Sequence, residues 1–363
     1  MIEERTRRTQ QVLREQEVAA LLVGPSADLR YLVGYDALPL ERLTLLIVPA
    51  EGELRLVVPE LEAARAEASG ATRLAELVPW GETDDPIALV ATLLGPAGAG
   101  RLAVQDRLWT SFTLALQGAL PDASWRPGSR VMRELRVVKD EEERRLLREV
   151  GQAIDRVHAQ VPALLRPGRT EREVGRDIAE LILEDHDVVN FVIVGSGPNG
   201  ASPHHETGER VLQPGDAVVV DIGGTRQGYC SDCTRNYLVE HAPAGYEELH
   251  RVLEAAQDAA VAAVRPGVPA ESIDAAAREL IAAAGYGERF VHRTGHGIGV
   301  EEHEEPWIVA GNTEPLVAGM AFSVEPGIYV PDRYGARIED IVLVTDTGVE
   351  RLNHRPRAAL TAG

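Results

Sequence analysis

The feature that most restricts this chain is a repeat inside its second part. Arg166-Pro-Gly168 returns as Arg265-Pro-Gly267, Leu181-Ile182 as Leu280-Ile281, and Phe191-Val192 as Phe290-Val291, all at one constant spacing. At a slightly longer spacing, Gly215-Asp-Ala-Val-Val-Val-Asp-Ile-Gly223 aligns with Gly319-Met-Ala-Phe-Ser-Val-Glu-Pro-Gly327. Each half reads as an Arg-Pro-Gly turn, a helix, a strand and a Gly-x-Ala-x-x-Val-acid-x-Gly run. Thr170 with Glu173 is the capping-box pattern that starts the helix of the first half. One such match is within the reach of chance; all of them in order is not. The repeat therefore predicts an α/β (α+β) domain with an internal pseudo-twofold axis and a site between its halves.

Ahead of the repeat the pattern is that of a smaller α/β domain. A charged amphipathic helix is predicted over 2–16, followed by the apolar runs Ala19–Val23, Leu45–Val48 and Leu54–Val58, with a helical stretch at 60–68. Pro121 and Trp125-Arg-Pro-Gly-Ser129 read as a linker, giving domains at 1–128 and 129–363, with a long charged helix over 140–164 opening the second. A length of 363 residues also favours two domains. Nothing before residue 130 gathers His, Cys and acids in a pattern that carries chemistry.

Composition excludes several roles. Fifty-seven acids against 37 bases give a net charge of −20, the wrong sign for sequence-independent nucleic-acid binding or an anionic membrane surface. The start Met1-Ile-Glu-Glu-Arg-Thr-Arg-Arg is charged with no apolar run after it, and no stretch is long and apolar enough to span a bilayer. Two cysteines are too few for a disulfide scaffold. The expectation is a cytoplasmic protein.

Asp221 ends the buried run Ala217–Val220, Gly223–Gly228 turns the chain, and Tyr229–Leu238 returns as the next strand. A turn centred on Arg226 and Gln227 makes Asp221 and Asp232 direct cross-strand partners, with Cβ atoms ~5 Å apart on one face. In the second half Glu325 follows Phe322-Ser-Val324, Val330–Gly335 turns the chain, and Glu339 returns opposite within a residue. A lone acid at a strand end is ordinarily a solvated residue. Two acid pairs at equivalent points of a duplicated fold are different: carboxylates that close repel, and one keeps its proton unless a cation lies between them. His296, in Gly295-His-Gly-Ile-Gly299, adds a nitrogen donor. Four carboxylates exceed what one divalent ion needs, so two ions are expected. The oxygen-rich set favours Mn²⁺, with Co²⁺, Fe²⁺ or Zn²⁺ as competitors. Paired divalent ions equip a site for amide hydrolysis.

At these residues the chain resembles the creatinase, aminopeptidase P and prolidase family of metallopeptidases with a pita-bread fold. Asp221 and Asp232, His296 in its glycine frame, Val324-Glu-Pro-Gly327 and Arg337-Ile-Glu-Asp340 stand in the family's order. The first domain resembles the amino-terminal domain of the Xaa-Pro branch by layout and by Asp28-Leu-Arg-Tyr-Leu32. The resemblance implies that Asp232 and Glu339 bridge two metals, that Asp221 binds one, and that His296 and Glu325 bind the other. It also implies that Glu325 handles the proton of the attacking water and that His303 steadies the developing oxyanion. His204, chosen over His205, contacts substrate, and His292 and Arg337 line the site. The implied substrate is a peptide with proline second, and the implied assembly is a homodimer.

Within that branch no arginine is identifiable from the sequence as a partner for a substrate's terminal carboxylate. The reading therefore leans to an Xaa-Pro aminopeptidase over an Xaa-Pro dipeptidase. A methionine aminopeptidase shares the five ligands but not the preceding domain. A metal-free creatinase-like hydrolase or a non-catalytic pita-bread binding module need not keep those ligands. Cys230 and Cys233 bracket Asp232 and read as core residues. Gly195–Gly200 lacks the lysine of a phosphate loop and reads as a loop framing the cleft. His158, His186, His241, His250 and His354 read as surface residues.

Overall fold

Near-continuous apolar runs mark strands covered on both faces, and Ala20–Val23 (β1) and Leu45–Pro49 (β2) are two of these. In the computed structural model, which describes residues 2–362, they lie at the middle of a six-stranded sheet. Its order is β4-β3-β2-β1-β5-β6, with Leu54–Pro59 (β3), Ala75–Trp80 (β4), Arg101–Val104 (β5) and Ser124–Pro127 (β6). The first helix, Ile2–Glu15 (α1), buries Arg5, Thr6, Thr9 and Leu13, one stripe at helical spacing. The stretch at 60–68 forms a 3₁₀ turn running into Ala63–Ser69.

The chain divides into two compact units, Met1–Arg136 and Val137–Gly363. The division falls after Arg136, so the helix Ser129–Arg136 goes with the first unit, although the run Trp125–Ser129 predicts a linker with the second domain beginning at 129. That helix buries Val131, Met132 and Leu135, and its Arg136 guanidinium donates to buried Asp28 at 2.7 Å. Trp125–Pro127 is instead part of β6, and Gly128 alone carries the chain into the helix, a turn inside a unit that local composition does not distinguish from a linker.

The second unit shows the predicted duplication. Each half begins with two helices, Glu141–Leu164 (α7) and Glu171–Leu183 (α8), then Tyr246–Ala263 (α9) and Glu271–Ala283 (α10). Thr170 and Glu173 form the reciprocal capping box. Each half then folds a sheet under its helices. In the first, Val188–Ser196 (β7), Ala217–Arg226 (β8) and Cys233–Val239 (β10) pair antiparallel, with the short Tyr229–Cys230 (β9) on β8. In the second, Gly295–Gly297 (β11), Glu304–Ile308 (β12), Ala321–Val324 (β13) and Asp340–Val344 (β16) pair antiparallel. The hairpin of Gly327–Val330 (β14) and Tyr334–Arg337 (β15) extends from β13 and β16. The repeated glycines have a backbone reason: Gly168 and Gly267 take φ of +91° and +85°, and Gly215 and Gly319 take +86° and +96°. Separate cores fill the halves, Ile154, Ile178 and Val220 among others in one, Leu253, Ile273 and Phe322 in the other.

Three histidines read as surface residues are in the interior. His158 is fully buried, with Nδ1 at 2.9 Å from the Tyr237 hydroxyl and Nε2 at 3.0 Å from the Cys233 carbonyl. His186 lies between the Ile182 carbonyl and the Ser231 hydroxyl, and His250 meets the Asn236 side chain. His241 and His354 are exposed, as expected. On α7, His158 follows Ile154 by one helical turn and shares its buried face.

Burial pulls the His158 pKa down to about 3. Below an unfolded value of about 6.5 the unfolded chain gains a proton that the folded one refuses, so acid destabilises; above it the term vanishes. Stability of the metal-free protein is expected to fall by about 1.4 kcal/mol per pH unit from this residue between pH 6 and 4. His158→Gln should flatten that slope in urea unfolding, and an unchanged slope contradicts the assignment.

Candidate metal centre

Val218, Val220 and Ile222 of β8 face the helices, so alternation turns Asp221 to the inner face. The returning strand pairs differently from the sequence expectation. The turn is Gln227-Gly228, with φ of +49° and +82°, a hairpin loop whose twist matches its strands. It sets Thr225 against Cys230 and Asp221 against Thr234. Asp232 is therefore a diagonal rather than a direct neighbour of Asp221. A shift of two residues keeps the same face, because side chains alternate with period two, and the pair still converges.

In the second half Phe322 and Val324 pack under the helices, and Val324 pairs with Asp340. Continuing that register, which also pairs Gly327 with Arg337, sets Glu325 opposite Glu339 on the inner face. Ser323, on that face too, donates its hydroxyl to Glu325 Oε1 at 3.0 Å and accepts the His296 N–H at 3.0 Å.

His296 sits where only glycines can flank it. A Cβ on Gly295 stands 1.8 Å from the Ser323 carbonyl oxygen, and one on Gly297 stands 2.2 Å from that of Glu305. The His296 Nδ1 donates to the Gly297 carbonyl at 3.1 Å, which leaves Nε2 facing the acids. From Nε2, Glu325 Oε1 is 3.2 Å away and Asp232 Oδ2 is 3.7 Å away.

The five side chains form two overlapping groups, Asp221–Asp232–Glu339 and His296–Glu325–Glu339, each with its ligand atoms within 4.8 Å of one another. Glu339 is common to both, and Asp232 reaches towards His296. A third group of the same span joins Asp232, His296 and His303.

The electrostatics fit a cation. Burial, then the charges of Glu339, Asp221 and Glu325, push the Asp232 carboxyl well above the usual carboxylate range. Burial, then Glu325 and Asp221, do the same to Glu339. Burial also raises Glu325, but the hydrogen bond and charge of His296 outweigh it and bring that carboxyl down to about 2. Asp232 Oδ1 and Glu339 Oε1 are buried without any hydrogen-bond partner. An orphaned carboxylate oxygen inside a protein is costly unless an ion or a proton satisfies it. The donor set of one imidazole and four carboxylates therefore suits hard divalent cations. Bound there, such cations polarise a carbonyl and lower the pKa of water.

All nine residues singled out from the sequence line one cavity of about 400 Å³. His204 is on its wall beside Pro203, whereas His205 turns away and bonds Glu171 at 2.8 Å. His303 is exposed at the cavity, its ring centroid 4.0 Å from that of His296. Partial desolvation, with the neighbouring His296 and Arg293 charges, pulls its pKa to about 4, so its ring is a neutral donor at pH 7. His292 has both nitrogens engaged, by the Arg293 carbonyl at 2.7 Å and the Tyr329 hydroxyl at 2.8 Å. Arg337 donates to Asp221 Oδ2 at 2.5 Å, the Thr234 hydroxyl, the Tyr329 hydroxyl and the Pro203 carbonyl. Its donors face the protein, so it orients Asp221 more than it offers hydrogen bonds to the cavity.

The sequence reading missed three residues. Thr234 places one hydroxyl at 2.8 Å from both Asp221 Oδ1 and Glu339 Oε2, one proton between two carboxylates. Its position two after Asp232 on the same strand face was the available signal. Tyr329 links Arg337 to His292. Glu171, buried at the start of α8, accepts from Ser196, Asn199, His205 and Gly208 and so ties down the loop carrying His204. Gly195–Gly200 is not a loop framing the cleft: Gly195 and Ser196 end β7, Gly197–Ala201 is a 3₁₀ turn, and none of the run lines the cavity, because Glu171 holds this turn back through Ser196 and Asn199.

Residues 145–346 match metallopeptidase family M24, and residues 5–138 match the creatinase/prolidase N-terminal domain. A probable dipeptidase PepE of Mycobacterium tuberculosis is 51% identical over 345 residues, covering 93% of this chain and 91% of the relative. The crystal structure of dipeptidase PepE from Mycobacterium ulcerans superposes with a TM-score of 0.94 at 50% identity, covering 99% of this chain and 97% of that one. That of a prolidase from Thermococcus sibiricus gives 0.94 at 36% identity, covering 99% of each. The second unit is thus a pita-bread domain, and the chain belongs to metallopeptidase family M24, as a peptide hydrolase with a creatinase/prolidase-type domain ahead of its catalytic one.

Proposed function

We propose that the chain is an Xaa-Pro dipeptidase whose two divalent cations are held by Asp221, Asp232, His296, Glu325 and Glu339. The observation that carries the metal centre is the meeting of these five side chains in one cavity with two carboxylate oxygens left without partners. What favours a dipeptidase is the likeness, over nearly the whole chain, to proteins bearing the names dipeptidase PepE and prolidase. This reverses the lean towards an aminopeptidase. That lean rested on finding no carboxylate-binding arginine in the sequence, and spacing along a chain does not reveal which arginines reach a cavity.

In this reading Asp232 and Glu339 would hold both ions, Asp221 would hold one, and His296 with Glu325 would hold the other. Mn²⁺ is the first choice by the hardness of the donors, ahead of Co²⁺, Fe²⁺ or Zn²⁺. The Glu325 carboxylate takes the proton of the attacking water and delivers it to the departing proline nitrogen. The neutral His303 ring donates to the oxygen on which charge develops, and His204 holds the substrate from the cavity wall. Two buried cysteines, too few for a disulfide scaffold, accord with a reducing cytoplasm; no helix among the described residues is long and apolar enough to cross a membrane.

Turnover of Ala-Pro against Ala-Pro-Ala tests the reading. Ala-Pro is expected to be favoured in kcat/KM by about a hundredfold, the scale of a charge-assisted hydrogen-bonded pair to a correctly placed terminal carboxylate. Equal or better cleavage of the tripeptide restores the aminopeptidase.

A further inference from the structure

A dipeptidase must recognise a proline carboxylate close to its metal centre, and two arginines line the cavity, Arg293 and Arg337. Arg337 is 3% exposed and already bonded to Asp221, Thr234, Tyr329 and Pro203. Arg293 differs in each respect. It is half-buried, and no carboxylate of the described residues lies within ion-pair distance of it. Its guanidinium carbon stands 4.3 Å above the centroid of the Trp307 ring.

The backbone around Arg293 is fixed. Thr294 N–H donates to the Ile308 carbonyl at 3.0 Å, and His296 pairs with Trp307 across the β11–β12 ladder. The stacked guanidinium thus belongs to the same wall as His296 and His303, and its charge acts on His303. Stacking on an aromatic face holds the planar group by one side and leaves its N–H edge for a planar, bidentate anion. A cavity of about 400 Å³ is ample for a dipeptide.

We propose that Arg293, steadied by Trp307, binds the C-terminal carboxylate of the substrate and so makes the cavity selective for peptides that end at proline. The inference rests on the Xaa-Pro dipeptidase reading and assigns its specificity to one side chain.

The test compares Ala-Pro with its C-terminal amide on the metal-loaded wild type, Arg293→Met and Arg293→Lys, with metal content measured for each. The wild type is expected to prefer Ala-Pro by about ten- to a hundredfold in kcat/KM, the range of a charge-assisted hydrogen-bonded pair. Arg293→Met should lose that factor on Ala-Pro, mostly through KM, and change turnover of the amide by much less, so that the preference between the two substrates collapses. Arg293→Lys should retain part of the preference. A methionine variant with its full metal complement that still prefers Ala-Pro, or that loses both substrates equally, overturns the assignment. A wild type that cleaves neither substrate, or both alike, overturns the dipeptidase reading itself, and is distinguished by appearing before any substitution.

Discussion

Asp232→Asn is expected to abolish hydrolysis while making the metal-free protein more stable. The two effects share one cause. Asp232 is 4% exposed, crowded by Glu339, Asp221 and Glu325, and one of its oxygens has no partner. Without cations its charged form is an expense to the fold, and an isosteric amide removes that expense. A gain of about 1–3 kcal/mol in unfolding experiments with chelator is the expected scale, since replacing buried charge by neutral groups of the same shape is commonly neutral or stabilising. With saturating metal the sign should reverse, because on the proposed assignment the variant would give up a ligand to both ions and with it the stabilisation that binding brings. Turnover should fall by about three orders of magnitude or more. Near-normal turnover, or a metal-free variant less stable than the wild type, contradicts a shared ligand at this position.

The second large effect is His303→Ala. On the proposed assignment its neutral ring donates to a developing oxyanion, and removal of one such donor costs about a hundred- to a thousandfold in kcat. Metal content should be unchanged. The test is sharper for where His303 sits: its imidazole falls within 4.8 Å of Asp232 and His296 donor atoms. Loss of one metal equivalent from the variant assigns His303 to the ligand set and removes it from the substrate side.

Much of this site was legible in one dimension because it is duplicated. Repeats predict equivalent acids at equivalent strand ends, and period-two alternation then puts them on one face. That logic survived an error of register. The turn lies at Gln227-Gly228 rather than Arg226-Gln227, so Thr234 and not Asp232 faces Asp221. An error of two residues is invisible to facing, whereas an error of one would have turned Asp232 into the core. The register error did conceal Thr234, whose hydroxyl joins the two acids.

What was not legible depends on the third dimension. His186 lies between two aspartates, and His158 and His250 lie in helices where polar and apolar residues alternate, so their burial follows from which helix face or loop the fold covers. Glu171 looks like one acid among several at a helix start, yet four groups of a distant loop converge on it. Arg337 and Arg293 are both cavity residues. Only the structure shows that the first is occupied by the protein's own acceptors and the second is not. The lean towards an aminopeptidase came from that blind spot.

Titration of divalent manganese into the metal-free protein, followed by calorimetry and by melting temperature, tests the central claim most directly. Four crowded carboxylates and one imidazole should take up about two ions per chain, with a concentration-dependent rise in melting temperature. A protein that binds no stoichiometric ion, and melts at the same temperature with and without it, contradicts the account.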